Sequence, residues 1–584
     1  MNNVLKLMAV FVLSSMLTVC TTFFFYPIRN ISLLVFITAF IVISFITYLF
    51  FKWKPFLTTP LEEKNKKGFW LSLTSVLLSS YFLVSIKGEQ IHLEDNSVFV
   101  NGLTHIFTLL FIYFTISITL SLLLRFEFST REQKKTSMGR FMVYFIPILL
   151  VLLTYWVAFF PAGMTPDSLA QWDQAHTKDF NDWHPIIFTW IIMLLTGIWD
   201  SPAIISLLQI IVISSIVSYC MLQFERIGVS KKFLYTVTAG FLILPVSGIF
   251  PIIIWKDVLY SAFLLLFSIH VFNIVYTRGH WLNNTSSIIG MLSSSFGLVF
   301  FRHNGLPVFI VVMLFLLVIY RKKLKVLAPL FIAIVGAYFI LTGPIFKALD
   351  VTPSDPNEAL SIPTQQIALI VINNGEMTLE EKEYINDIFP LELWKERYNP
   401  YNTNPIKFSW EEYDRDIIFE DFGKYVKTWL SLWWKNPAIA FEAFFDQTSL
   451  VWQINQPEDG YTDTYVTNIY YGNEFGLVDK VIIPSVTEQV ASYLEKTKEL
   501  LGFVIWRPAI YLSLILLFSV VSIARNGWKY GLVSMPIILN ILSVMAALPA
   551  QDFRYLYANT LVVFLLFLMM FVSKKADQGE LKHE

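Results

Sequence analysis

The sequence predicts an all-α polytopic membrane protein with about fourteen transmembrane helices and one mainly helical extracytoplasmic domain. Three observations carry this. The 584 residues are 55% hydrophobic and only 15% charged, with 16% aromatic side chains and a net charge of −1, which excludes an ordinary soluble multidomain protein. Many separate apolar runs reach the roughly 20 residues that cross a bilayer. Basic residues collect on alternate connections, the bias expected of cytoplasmic loops. A charge balance near zero gives no footprint for nucleic acid, and none is expected as a partner.

The spans are placed at 4–27, 31–51, 69–86, 102–124, 141–160, 201–222, 232–250, 257–277, 285–301, 305–320, 326–343, 503–524, 528–548 and 555–573. The apolar stretch 185–198 is left out as an interfacial or re-entrant helix. Counted as a span, it would turn FERIGVSKK (224–232) and every later basic loop outward. With it excluded, Lys52, Lys54, Lys64, Lys66 and Lys67 fall inside, as do Arg125, Arg131, Lys134, Lys135 and Arg140. RKKLK (321–325), RNGWK (525–529) and Lys574–Lys575 follow, so both termini are expected in the cytoplasm. The first run, up to Cys20 and beyond, imitates a secretory or lipoprotein signal but continues through TTFFFYP, and reads as an uncleaved span. Cys20 and Cys220 lie in apolar runs near opposite membrane faces, so no disulfide is expected.

Four parts result: a four-span addition at 1–140, a seven-span module at 141–343 with an external loop at 161–200, a soluble segment at 344–502, and three spans with a short tail at 503–584. In 344–502 Asp and Glu outnumber Lys and Arg about two to one, which suits an outward-facing domain. Ile418, Phe422, Tyr425, Val426, Trp429 and Trp433 recur at helical spacing, KNP (435–437) ends that helix, and AIAFEAFFDQ begins another. TYVTNIYYG (464–472) reads as a short strand.

This topology brings charged residues from five connections to one face. Ionic groups at a bilayer are costly, so several together point to a site. FFPAGMTPDSLAQWDQAHTKDFNDWHP carries Asp167, Asp173, Asp179, Asp182, His176 and His184. Asp167 at a membrane edge can meet a hydroxyl on a lipid-anchored substrate as general base, or it belongs to a solvated acidic loop. A divalent metal is admitted but not favoured, because no tight ligand spacing appears. In WKD (255–257), Lys256 is either a point charge for a lipid phosphate or a snorkelling lysine paired with Asp257. In FRHNG (301–305), Arg302 can fork onto phosphate oxygens, with His303 and Asn304 beside it. The bland alternative is a polar turn in which Asn304–Gly305 supplies positive φ. In QDFRYLY (551–557), Asp552 and Arg554 bridge each other or Arg554 holds a phosphate, while Tyr555 and Tyr557 suit an interfacial aromatic belt. Trp433, Trp434 and Trp452 are sugar-stacking platforms or, more simply, core and belt residues.

These motifs together resemble the GT-C superfamily of membrane glycosyltransferases. FFPAGMTPDSLAQW is similar to the first external loop of that superfamily, with Asp167 at its acidic position. The stretch from WHP is similar to the interfacial His-Pro helix of protein O-mannosyltransferase-like and aminoarabinose-transferase-like members. WKD resembles the second external-loop motif, and QDFRY a late acidic-x-Arg-Tyr motif. The likeness covers about 140–345 plus the late motif, and is closest to Gram-positive bacterial members. The chain departs from better-known members in lacking a paired carboxylate directly after the module's first helix; Asp167 stands alone until Asp173.

The resemblance implies transfer of a sugar from a polyprenyl-phosphate donor to a cell-envelope acceptor (a wall glycopolymer such as teichoic acid, a glycolipid or a protein) outside the bacterial cell membrane. It implies inversion with Asp167 as base, His184 orienting Asp167 or the acceptor, and Lys256, Arg302 and Arg554 on the donor phosphate. Asp173, Asp257, His303, Asn304 and Asp552 would support them, and no cofactor is certain. Two rivals remain: a transporter or flippase of lipid-linked envelope precursors, whose polar groups would run toward the bilayer midplane, and a non-catalytic scaffold.

Overall fold

The protein is an all-α polytopic membrane protein. The computed structural model describes residues 2–25, 32–53, 64–86, 97–126, 137–457, 460 and 465–572. Lys54, Arg131, Lys134, Lys135, Lys574 and Lys575, used above to orient the chain, lie outside the described residues.

Among the described residues eleven helices are long and apolar enough to span a bilayer, including Leu33–Trp53, Pro202–Arg226, Lys256–Tyr276 and Pro508–Asn526. The remaining three expected spans differ in form. The seventh is broken: Lys231–Ile243 and Pro245–Ile252 meet at 73°, where Pro245 follows Leu244 in an extended conformation, as a residue before proline prefers. Thr285–Phe300 and Gly305–Ile319 have 16 and 15 residues, so each covers only about 22–24 Å. The excluded stretch forms Ile186–Thr196, 11 residues, about 16 Å long and too short to cross. The expected span at 326–343 lies within a longer helical run, Arg321–Ala348.

Lys256–Tyr276 is the axis of the molecule. Of its hydropathic window 89% is buried, and it packs against Pro202–Arg226, Thr285–Phe300, Gly531–Ala546 and Tyr557–Met570. A helix apolar on all sides belongs inside a bundle. The helices before residue 126 have a small cluster of their own, Leu17, Ile43, Phe50, Phe114 and Ile118, and join the rest where Tyr81 Oη meets Ser513 Oγ at 3.2 Å. Their outward faces are apolar and exposed, as at Leu33 and Leu34, which suits contact with lipid. Glu225 is buried but satisfied: Arg140 donates to both its oxygens at 2.8 and 2.6 Å, and Tyr144 Oη donates at 2.6 Å. Both cysteines are unpaired.

The segment beyond the eleventh expected span folds into short helices around a separate core of Ile367, Tyr384, Ile385, Trp394, Ile418, Tyr425 and Leu432. The helix read from periodicity breaks at Asp421: Ile418 lies in Arg415–Glu420, the rest forms Phe422–Lys435, and another helix begins at Pro437 after the Asn436 cap. No strand forms among the described residues of 464–472; Ile469 instead makes an isolated bridge to Met164. The segment clamps onto the last connection. Gln447 Nε2 donates to the Leu548 and Pro549 carbonyls at 2.7 and 3.0 Å, and Gln551 Nε2 donates to Ser449 Oγ at 2.7 Å.

Candidate functional site

Asp167 is placed by a loop locked on two sides. Gly163 N donates to the Ile252 carbonyl at 3.1 Å, and Ile254 N donates to the Gly163 carbonyl at 2.9 Å. On the other side Met164 N donates to Asn468 O and Tyr470 N to Met164 O, at 3.1 and 3.0 Å. Gly163 has to be glycine: a Cβ there would lie 2.7 Å from the Val466 carbonyl oxygen. The helix Pro166–Thr177 then starts with Thr165 and Ser168 in a capping box and proline at its first position. Ser168 Oγ donates to the Ile254 carbonyl at 2.7 Å, and Trp255 Nε1 donates to Thr165 Oγ1 at 3.0 Å. Asp167 sits in the first turn, where the helix dipole favours a negative charge.

Around this carboxylate the other connections converge. Arg554 Nη1 donates to Asp167 Oδ2 at 2.6 Å, and Arg554 Nε lies 3.0 Å from Asp552 Oδ2. The same guanidinium stacks over the rings of Trp255 and Tyr555 at 5.3 and 5.0 Å. His184 Nε2 is 3.8 Å from Asp167 Oδ1, and its Nδ1 is 2.5 Å from Lys256 Nζ. An ammonium only donates, so Nδ1 accepts and the ring proton is on Nε2, facing Asp167. Asp257 does not pair locally with Lys256; it faces Arg302, whose Nη1 is 3.3 Å from Asp257 Oδ1. Arg302 also donates to the Tyr555 carbonyl at 3.3 Å. His303 Nε2 approaches the Asp182 carbonyl at 3.1 Å, which ties the 301–305 connection to the Asp167 loop. Asp167, His184, Lys256, Asp257, Arg302, Asp552 and Arg554 therefore form one continuous ionic cluster at one end of the central helix.

The electrostatics follow from the neighbours. Burial alone would raise the Asp167 carboxyl, but the Arg554 and Lys256 charges outweigh it and hold it well below the usual carboxylate range. Burial, then Lys256, pushes His184 down to about 3, so the ring is neutral at physiological pH. Burial raises Asp552, with Arg554 opposing, and pushes Asp182 up to about 7. Asp167 keeps 35% of its side-chain surface exposed, against 8% for His184, 12% for Arg302 and 14% for Arg554. It is the point at which an incoming group first meets the cluster. Among the described residues no group of three His, Cys, Asp or Glu side chains gathers as a metal site.

Several expected members are placed differently. Asp173 lies six residues along the same helix, about a third of a turn round and 9 Å up from Asp167, and its side chain makes no contact with the cluster among the described residues. Asn304 has φ −65° and is an ordinary helix-entry residue, not a positive-φ turn, and its side chain has no hydrogen bond among the described residues. Gly305 is needed for close approach instead: a Cβ would lie 1.7 Å from the Leu298 carbonyl oxygen. We expect Gly305→Ala to cost about 2–3 kcal/mol, read as a lower melting temperature of the purified protein; an unchanged melt would contradict this packing. Tyr557 is fully buried and stacks on Phe250 at 4.6 Å, so it is no interfacial belt residue. Tyr555 lies between the Arg302 and Arg554 guanidiniums, each 5.0 Å from its ring. Trp433 packs on Phe441, Trp434 is 79% exposed, and neither they nor Trp452 reaches the cluster. Sequence reading had no signal for Trp255 beneath Arg554 or for Thr165 as its indole acceptor; both are single residues whose roles exist only across connections.

The model of a family of unknown function, DUF6020, matches residues 1–584, and the chain belongs to that family. No curated protein and no solved structure matches it.

Proposed function

We propose that this DUF6020 protein is a membrane glycosyltransferase of GT-C type, moving a sugar from a polyprenyl-phosphate donor to an extracytoplasmic cell-envelope acceptor. The observation that carries the reading is the joining of Asp167 to Lys256, Arg302 and Arg554 at one end of the helix bundle. The most exposed carboxylate of the cluster beside three cations matches a reaction in which one group accepts a proton while a phosphate gathers charge.

Asp167 held by Arg554 is a weak base. The donor phosphate removes that obstacle. Its oxygens compete for the Arg554 fork, and as Arg554 turns to them Asp167 loses its strongest acidifying partner and gains basicity. The neutral His184, anchored by Lys256, keeps its Nε2–H directed at Asp167 Oδ1 and fixes the carboxylate's orientation. Asp167 then takes the acceptor hydroxyl proton as that oxygen attacks the anomeric carbon. The bond from that carbon to the phosphate oxygen breaks, its electron pair leaves on the lipid phosphate, and the anomeric configuration inverts. Lys256 and Arg554 stabilise the departing charge; Arg302, tied to Asp257 and the Tyr555 carbonyl, holds the cluster together and adds its field.

Polar side chains farther along the central helix support an enzyme over a transporter. Ser261 and Ser268 donate to carbonyls four residues back, and His270 bonds Ser294, so they serve local packing. The site is tested at Lys256. Lys256→Ala should weaken donor binding about tenfold or more, the worth of one charge-assisted contact, in a titration with a radiolabelled lipid-phosphate sugar. Unchanged donor affinity would remove Lys256 from the phosphate site.

A further inference from the structure

At the opposite end of the central helix lies a second charged feature that the proposed reaction does not use. The 21 residues of Lys256–Tyr276 carry the chain about 30 Å, so this feature is one bilayer thickness from Asp167. It is an open cavity of about 810 Å³ lined by three connections. Arg278 comes from the first, Arg321, Lys322 and Lys323 from the second, and Arg525 and Lys529 from the third. Among the described residues its lining contains no Asp or Glu.

The cavity is built, not a chance gathering of loop charges. Arg278 and Gly279 take successive positive φ values, 51° and 87°, which turn the chain sharply off the central helix. Gly279 brings its backbone close to Tyr320 and Lys323; a Cβ there would lie 3.3 and 3.4 Å from their side-chain carbons. Lys323 Nζ is fixed on Asn283 Oδ1 at 2.5 Å, and Lys529 sits 6.0 Å from the centre of the Tyr320 ring. Trp528, 63% exposed, forms part of the wall. A general bias toward basic loops would scatter cations over convex surface. Here six of them line one concavity with aromatic walls, Arg525 also donating to the Leu123 carbonyl at 2.8 Å, and the exposed Lys325 stays outside it.

We propose that this cavity binds a phosphate-bearing anion at the membrane face opposite the Asp167 cluster. Six cations without a carboxylate suit a phosphate group, and basic pockets between membrane helices are suited to anionic lipid headgroups. A soluble phosphate compound shares that chemistry, and the test separates the two sources. The proposal stands independently of sugar transfer.

The full-length protein is placed in phosphatidylcholine nanodiscs with increasing phosphatidylglycerol, or titrated with pyrophosphate in phosphatidylcholine alone, and binding is followed by tryptophan fluorescence. Lys322→Glu with Lys529→Glu should weaken binding at least tenfold, while Lys325→Glu leaves it within about twofold; Trp528→Phe should remove the signal change without removing binding measured by native mass spectrometry. Saturation by phosphatidylglycerol alone assigns the site to a lipid headgroup, and saturation by pyrophosphate assigns it to a soluble phosphate. Equal loss in the cavity variant and the Lys325 variant, or saturation by neither ligand, overturns the proposal.

Discussion

Asp167→Asn should lower the turnover of sugar transfer about a thousandfold, the scale of a lost general base, while donor binding stays unchanged or tightens. The second half of this expectation separates the account from a structural role. Asparagine keeps the size and the first-turn position of Asp167 but no longer holds Arg554 by charge, so the guanidinium is released toward a phosphate. Single-turnover kinetics with a labelled donor, alongside equilibrium donor binding, read the two effects separately. Parallel loss of binding and turnover would make Asp167 a scaffold residue; unchanged turnover would remove it as the base.

Arg554→Ala should have the largest effect on stability. Arg554 is the shared partner of Asp167 and Asp552, at 2.6 and 3.0 Å. Its removal leaves two partly exposed carboxylates without their shared cation, a change worth about 3 kcal/mol, the low end for a buried pair because Asp167 and Asp552 keep 35% and 23% of their side chains exposed. The loss should depend on pH in a defined direction. Without the guanidinium both carboxyls are raised above their unfolded values, so the protonated forms fold well and the stability they confer disappears as pH rises through the raised values. Thermal melts of the variant should therefore fall further below wild type at pH 8 than at pH 5. Adding Asp552→Asn should recover part of the stability without restoring transfer. A pH-independent deficit, or full recovery of transfer in the double variant, would contradict the arrangement.

Much of the architecture could be read from residue patterns because membrane spans are long-range averages. Fifteen or more apolar residues in a row survive a few irregular positions, and basic loops orient many spans at once. Loop charge alone excludes 185–198 from the bilayer, and Ile186–Thr196, with 11 residues, is too short to cross. The bend at Pro245 and the two short helices around Arg302 were not legible, since apolar composition does not record how far a helix runs before it turns.

The candidate site was legible to the same depth. One-sided placement of five connections brought Asp167, Lys256, Arg302 and Arg554 onto one list, and folding joins them. Pairing within the list was not recoverable. Adjacency in sequence favoured Lys256 with Asp257, yet at the start of a helix neighbouring residues point about 100° apart; Lys256 turns to His184 and Asp257 to Arg302. Gly305 was assigned to turn geometry because Asn-Gly is a turn signal, and only the approach of the Leu298 carbonyl reveals its other use. The Gln447 and Gln551 clamp joins positions about a hundred residues apart through lone amides, which leave no periodic trace.

Purified protein in proteoliposomes tests the proposed sugar transfer at the Asp167 cluster most directly. A panel of radiolabelled polyprenyl-phosphate sugars is supplied with an envelope acceptor fraction, and label is followed into acceptor while free polyprenyl phosphate is measured. Wild type should transfer label from one donor with stoichiometric release of lipid phosphate, and Asp167→Asn should not. Movement of the intact labelled lipid between leaflets, with no sugar leaving its phosphate, would contradict the account.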